Sequence, residues 1–119
     1  MFFNSKSFKT LEAGVQMAWA RQQLHGQNLA NIETPGYKSK NLDFSAALKA
    51  ATQSGTVPDT IHAKVVTDDA TSILQDGNNV DLEKENLALY KTYTQYSLLL
   101  DKVKGEFDQY SAVLNNNMK

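Results

Sequence analysis

Residues 81–116 constrain the shape of this chain more than any other stretch. Leu82, Leu89, Tyr96, Val103 and Tyr110 recur every seven residues, and Asn86, Tyr93, Leu100, Phe107 and Leu114 recur beside them. The alternating four-three spacing is that of a helix built to face another helix. Asp81 suits the N-cap, and Glu83 and Glu85 suit the positive end of the helix dipole. Gly105 lies off this seam and costs about 1 kcal/mol relative to alanine; no other glycine or proline breaks the run. At 1.5 Å per residue the helix spans roughly 54 Å. A compact globule of 119 residues has a radius of gyration near ~13.5 Å and a diameter of roughly 35 Å. The helix outruns the globule, so the chain is elongated or the helix depends on partners.

A second helix is expected upstream. Phe8, Leu11, Val15 and Ala18, then Leu29 and Ile32, follow a three-four spacing, with Gln22 and His25 at the two intervening seam positions. Ser5 or Ser7 can cap its start. Ala13, Met17, Ala20 and Leu24 form another stripe, about 200° around the helix at 100° per residue. A helix with two opposed apolar stripes is buried on both sides, either in a core or between neighbours in an assembly. The chain has little else to cover the second stripe, which favours the assembly. Gly26 sits inside this helix, where it loosens the last turns or admits a neighbour at close range.

The expected fold is therefore mainly α: an elongated antiparallel pair of long N- and C-terminal helices of coiled-coil type, with an irregular or small β excursion between them. Its divisions are an N-terminal helix at 7–33, a corner and extended segment at 34–44, an excursion at 45–77 and a C-terminal helix at 81–117, in one domain. Residues 45–50 suit a short helix. Ile61–Val66 and Thr71–Leu74 suit short strands, though neither alternates strongly.

The corner is the most specific local feature. Thr34 precedes Pro35 and is pushed out of the α region. Pro35-Gly36 suits the centre of a type II turn, with proline presetting φ and glycine accepting a positive φ. Asn28-Leu29-Ala30-Asn31, then Thr34-Pro35-Gly36-Tyr37-Lys38, then Leu42-Asp43-Phe44 resembles the N-terminal signature of the bacterial flagellar rod, hook and hook-associated proteins. The Leu42-Asp43-Phe44 tail, the short chain and the later segment from Asp76 to Glu83 are most similar to the proximal-rod members of that family. The likeness covers both ends of the chain; residues 50–75 carry none.

The resemblance implies a structural subunit of the flagellar basal-body rod that polymerises through its terminal helices. It implies export through the flagellar type III apparatus without a cleaved signal, and a place in the periplasmic rod. The implied partners are other copies of the chain, neighbouring rod and basal-body proteins, and the export apparatus. The residues concerned are the corner set already quoted and a helix seam of Phe8, Leu11, Val15, Leu29, Leu82, Leu89, Tyr93, Tyr96, Leu100, Val103, Phe107, Tyr110 and Leu114. Asn28 and Asn31 are read as either local caps or cross-subunit donors.

Composition narrows other function classes. Twelve basic against thirteen acidic residues, a net charge of −1, give no electrostatic case for nucleic acid, and no block of like charge suggests a membrane surface. The absence of cysteine removes disulfides, thiol catalysis and thiolate zinc. Asn4, Lys6 and Lys9 interrupt any signal-peptide core, and no run approaches a membrane span, so composition alone reads as cytosolic, against the resemblance.

No catalytic constellation is expected, and no cofactor or metal. His25 lies on the seam and His62 in the excursion, each without a second ligand three or four residues away. With Glu83 at position 12 of a calcium loop, Leu74 would fall at a ligating position, so that register fails. Asp76-Gly77 reads instead as a turn feeding a capped helix. Asp68 and Asp69 read as solvated. No phosphate loop or nucleophile elbow is present. The alternatives are a soluble helical binding module, such as an export chaperone or adaptor, and another rod protein of the same family.

Overall fold

A computed structural model describes residues 5–69 and 77–117. In chain order these form α1 (Lys6–Ala30), β1 (Lys40–Asp43), α2 (Ser45–Ser54), β2 (Lys64–Thr67) and α3 (Leu82–Asn117). The two long helices have 25 and 36 residues. Ser5 caps α1, its hydroxyl accepting from the Phe8 N–H at 3.1 Å. Asp81 caps α3, its carboxylate accepting from the N–H groups of Glu83 and Lys84 at 3.0 and 3.2 Å. Gly105 does not interrupt α3.

α1 and α3 run antiparallel. Ser7 donates to Glu106 at 2.5 Å, Gly14 lies against Leu99, Trp19 against Tyr96, and His25 against Glu85. α3 continues past Glu106 to Asn117, roughly 16 Å beyond the level of Ser7 at 1.5 Å per residue. The molecule measures 69 × 28 × 14 Å with a radius of gyration of 18.6 Å, against ~13.5 Å for a compact chain of this length.

The helix interface is thin. The helices approach tightly at Gly14, where a Cβ would stand 3.3 Å from both Leu99 methyls. At Gly26 no neighbour comes close, and a Cβ would meet nothing within 4 Å. The buried apolar side chains among the described residues are Ala13, Ala18, Leu24, Phe44 and Val80. Three of these sit on α1 and none on α3.

The seam of α3 divides. The side facing α1 carries Glu85, Leu89, Thr92, Tyr96, Leu99, Val103 and Glu106, all buried or half-buried. Leu82, Tyr93, Leu100, Phe107, Tyr110 and Leu114 are exposed. Glu85 and Thr92 are the most buried positions of the helix, and centring its inner face on them turns the Tyr93–Leu100–Phe107 row to the flank. On α1, Phe8, Leu11, Val15 and Leu29 are half-buried.

Three expectations need correction. α1 ends at Ala30, not residue 33; the Asn31 N–H is shared by the Gln27 and Asn28 carbonyls, and the Ile32 N–H bonds to Leu29, so the last turn tightens before the proline. The second stripe of α1 is covered in part within the chain, Ala13 and Leu24 being buried and Met17 and Ala20 half-buried. Its flank meets the excursion, where the Arg21 guanidinium lies 4.9 Å over the buried Phe44 ring. Nearby, Gln16 donates to the Asp59 carbonyl at 2.7 Å and accepts from the Ile61 N–H at 3.2 Å. Lys9 adds an ion pair with Asp59 at 3.3 Å. Finally, the short helix after Phe44 extends to Ser54 and ends on Gly55 at φ 70°.

The strand expected at Ile61–Val66 is Lys64–Thr67, within the excursion, and its antiparallel partner is β1, in the segment just after the corner. The register pairs Lys40 with Thr67, Asn41 with Val66, Leu42 with Val65 and Asp43 with Lys64. The expected strand at Thr71–Leu74 lies outside the described residues, as does Asp76.

Candidate assembly site: the corner between the helices

The corner is a main-chain turn fixed by buried amides. The Tyr37 N–H closes back on the Thr34 carbonyl at 3.2 Å, and Gly36 holds φ 73°, the value the third residue of a type II turn requires. A side chain at Gly36 would meet the steric barrier of the left-handed region.

Asn28 is the hub, with no solvent exposure. Its amide NH₂ donates to the Lys40 carbonyl at 2.8 Å and to Glu85 Oε1 at 3.2 Å. Its carbonyl oxygen accepts from the Tyr37 hydroxyl at 3.1 Å and the Lys40 N–H at 3.0 Å. One side chain thus joins α1, the turn, β1 and α3, with every donor and acceptor used. The other Glu85 oxygen is 2.7 Å from His25 Nδ1. A carboxylate this buried needs such partners, because desolvation of an unpaired charge costs several kcal/mol. Burial and the Glu85 carboxylate push the Tyr37 hydroxyl above its ordinary value of 10.0.

Two further asparagines clamp the corner from the other end of the chain. Asn78, also fully buried, donates to the carbonyls of Asn31 at 2.8 Å and Thr34 at 2.7 Å, a second bond for each beside the main-chain N–H it already accepts in the turn. Its own oxygen accepts from the Val80 N–H at 2.9 Å. Asn79 accepts from the Ser39 N–H and donates to the Asp68 carbonyl, both at 2.6 Å. Lys38 Nζ donates to the Gly77 carbonyl. Among the described residues, no buried side-chain nitrogen or oxygen lacks a partner.

The quoted motif residues divide by task. Asn28 binds across the fold. Asn31 acts locally, donating to the Gln27 carbonyl at 2.8 Å and accepting from the Thr34 hydroxyl at 3.0 Å. Leu29 is half-buried, and Ala30, Pro35 and Gly36 are exposed. Leu42 stands half-buried in β1. Asp43 accepts from the Ser45 N–H at 2.9 Å and so starts α2; the Ser45 hydroxyl and N–H hold its carboxyl below the ordinary 3.8. Phe44 is the buried plug under Arg21.

Sequence reasoning undervalued Asn78, Asn79 and Glu85. The available signal was two adjacent asparagines directly before a capped helix, where polar side chains find open main-chain groups. Among the described residues, no group of three His, Cys, Asp or Glu is placed to hold a metal. No helix among them is long and apolar enough to cross a membrane.

The arrangement is a rigid knot at the base of two extended, part-covered helices. No family model matches the chain. Curated relatives do. A flagellar basal body rod protein FlgB from Bacillus subtilis is 31% identical, with 92% of this chain and 94% of that protein aligned. The protein of that name from Cereibacter sphaeroides is 30% identical over 72% of this chain and 84% of its own length. That from Escherichia coli is 28% identical over 81% of this chain and 83% of its own. The likeness spans nearly the full length of the Bacillus protein, and the chain belongs to the family of flagellar basal body rod proteins FlgB.

Proposed function

We propose that this chain is a structural subunit of the flagellar basal-body rod, incorporated by packing its two long helices against neighbouring subunits. The observation that carries the reading is the exposed apolar row of α3. Leu82, Tyr93, Leu100, Phe107 and Leu114 are 51, 59, 42, 50 and 45% exposed. Rows of this length on one helix mark interaction surfaces. The accessible surface is 8303 Å², against roughly 6,400 Å² for a compact monomer of this mass.

The corner supports the same reading mechanically. A subunit in a shaft that transmits torque needs a fixed relation between its helices. The Asn28–Glu85 and Asn78–Asn31 bonds fix that relation without a large apolar core. The partners of this reading are further copies of the chain and adjoining rod and basal-body proteins. Passage through the flagellar export apparatus and a periplasmic position follow from a rod subunit's place. A soluble adaptor accounts for the helices and gives no reason for so elaborate a corner. The role asks for no catalytic group and no cofactor.

Mass spectrometry of detergent-purified hook–basal bodies from the source organism tests the reading. The chain should be present, well below the level of hook protein. Its absence from intact basal bodies, with a soluble helical species in the cytosol, would reject it.

A further inference from the structure

The two long helices are unequal, and the inner stripe of α3 runs on past the start of α1. Inside the pair that stripe includes Leu99, Val103 and Glu106, all half-buried against α1. The same four-three spacing carries it on to Tyr110 and Val113, with Leu114 beside them. Exposure rises there: Tyr110 is 37%, Val113 56% and Leu114 45% exposed. A recess of about 290 Å³ lies at this point, lined by Glu106, Gln109, Tyr110 and Val113. The change falls where α1 begins, since Ser7 in its first turn bonds to Glu106. α3 nevertheless stays helical to Asn117.

We propose that the chain's own first residues, Met1-Phe2-Phe3, cover this continuation of the stripe at Tyr110, Val113 and Leu114. Residues 1–4 read Met1-Phe2-Phe3-Asn4 and lie outside the described residues. Because α1 and α3 run antiparallel, the start of α1 opens onto this stretch of α3, and the contact continues an interface already formed. Ser5 caps α1 and stands about 3 Å nearer the end of α3 than Ser7 does, at 1.5 Å per residue. Roughly 13 Å of α3 lies beyond that level. Four residues span at most roughly 13–14 Å, so the segment before Ser5 matches the length of helix left over. Its chemistry matches as well. Phenylalanine buries about 150–250 Å² when covered, and two of them stand next to a methionine opposite a tyrosine, a valine and a leucine. A helix end without tertiary cover frays, so the same contact holds the last turns of α3 helical. It lies within one chain and does not depend on the rod reading. To that reading it adds a subunit whose α3 end is covered before any neighbour is met.

The chain has no cysteine, so an engineered pair reads the contact directly in the purified chain. Phe3→Cys with Val113→Cys should close a disulfide within one chain under mild oxidation, seen as a monomer of altered mobility that reduction reverses. The control is Phe3→Cys with Asn115→Cys. Asn115 lies about 200° around α3 from Val113 and only about 3 Å along it, so this pair should stay reduced at the same dilution. Equal closure of both pairs, or closure of neither, would overturn the proposal. Disulfide-linked dimers in place of the closed monomer would assign the stripe to a second copy and overturn it too. Where a cysteine pair costs helix content, hydrogen exchange of Phe2→Ser with Phe3→Ser supplies the second readout. Amides of residues 108–116 should lose protection while those of 85–99 keep theirs. Unchanged protection at the end of α3 would overturn the proposal. All of these are read on the free chain, whereas the rod reading stands or falls on the presence of the chain in basal bodies.

Discussion

Asn28 on α1 and Glu85 in the first turn of α3 meet at 3.2 Å, the first with no solvent exposure and the second with 4%. This contact joins the two long helices at the base of the hairpin, where few apolar side chains do so. Asn28→Ala removes it and strands four groups: Glu85 Oε1, the Tyr37 hydroxyl, and the Lys40 N–H and carbonyl. Unmade buried hydrogen bonds cost about 1–3 kcal/mol each when nothing replaces them. Some of these groups regain water, so the expected loss is about 3 kcal/mol, read as a lower urea midpoint at an unchanged slope. A change below about 0.5 kcal/mol would remove Asn28 from its place as hub.

Asn28→Asp tests the electrostatics of the same position. It places a second carboxylate beside Glu85, and like charges in a shared site disfavour joint ionisation. The variant should be destabilised at neutral pH, with part of the loss recovered in mildly acid buffer as one carboxyl takes a proton. Equal destabilisation across that range would mean that lost geometry, not charge, sets the cost.

Tyr37 gives a prediction at the alkaline end. Burial and Glu85 raise its pKa above 10.0 in the folded chain, so above pH 10 the unfolded state gives up this proton first. The unfolded state then binds fewer protons, and stability falls as pH rises. The contribution is complete below pH 10 and is lost as pH climbs through the folded value. Tyr37→Phe should therefore flatten the wild-type decline above pH 10. At neutral pH it should cost about 1 kcal/mol for the lost bond to Asn28. An unchanged alkaline slope in paired urea titrations would contradict the assignment.

Much of this architecture is legible in the sequence, and the illegible parts share a cause. The long helices follow from seven-residue periodicity, and the turn from Pro35-Gly36, because each is set by neighbours within a few residues. The rotation of α3 about its axis is set by Glu85, whose partner His25 lies 60 residues away. The apolar seam therefore named the helix correctly without naming the half that faces α1. Lys40-Asn41-Leu42-Asp43 does not read as a strand because, in its pairing with Lys64–Thr67, Leu42 alone is half-buried and the other seven residues are exposed, which leaves no alternation. The role of Gly14 is invisible for the same reason: only the position of Leu99 makes a Cβ there tight.

Gly14 yields a two-step prediction. A Cβ at this position would stand 3.3 Å from flexible Leu99 methyls, so Gly14→Ala asks Leu99 to yield a few tenths of an ångström. Alanine also improves helix propensity by about 1 kcal/mol. The two effects should nearly cancel, leaving stability within about 0.5 kcal/mol of wild type. Gly14→Leu has no such relief and must splay the helices, an overpacking cost of about 1–3 kcal/mol. Thermal melts of the pair separate the outcomes, and a well-tolerated leucine would show that the helices do not touch here.

Leu100→Asp separates folding from assembly. Leu100 is 42% exposed in the single chain and stands on the flank of α3 that α1 leaves uncovered. A charge there stays solvated in the free subunit, so its stability should change by less than about 1 kcal/mol, as for other surface substitutions. In an assembled rod the same carboxylate would be taken out of water against an apolar neighbour. An unpaired charge in that setting is strongly unfavourable. The expected phenotype is a folded, exported subunit that is missing from basal bodies, in cells that do not swim. Circular dichroism of the purified variant, a secretion assay and a swimming assay together decide the matter. A folded variant that swims normally would place Leu100 outside every subunit contact and move the assembly surface to another face of α3.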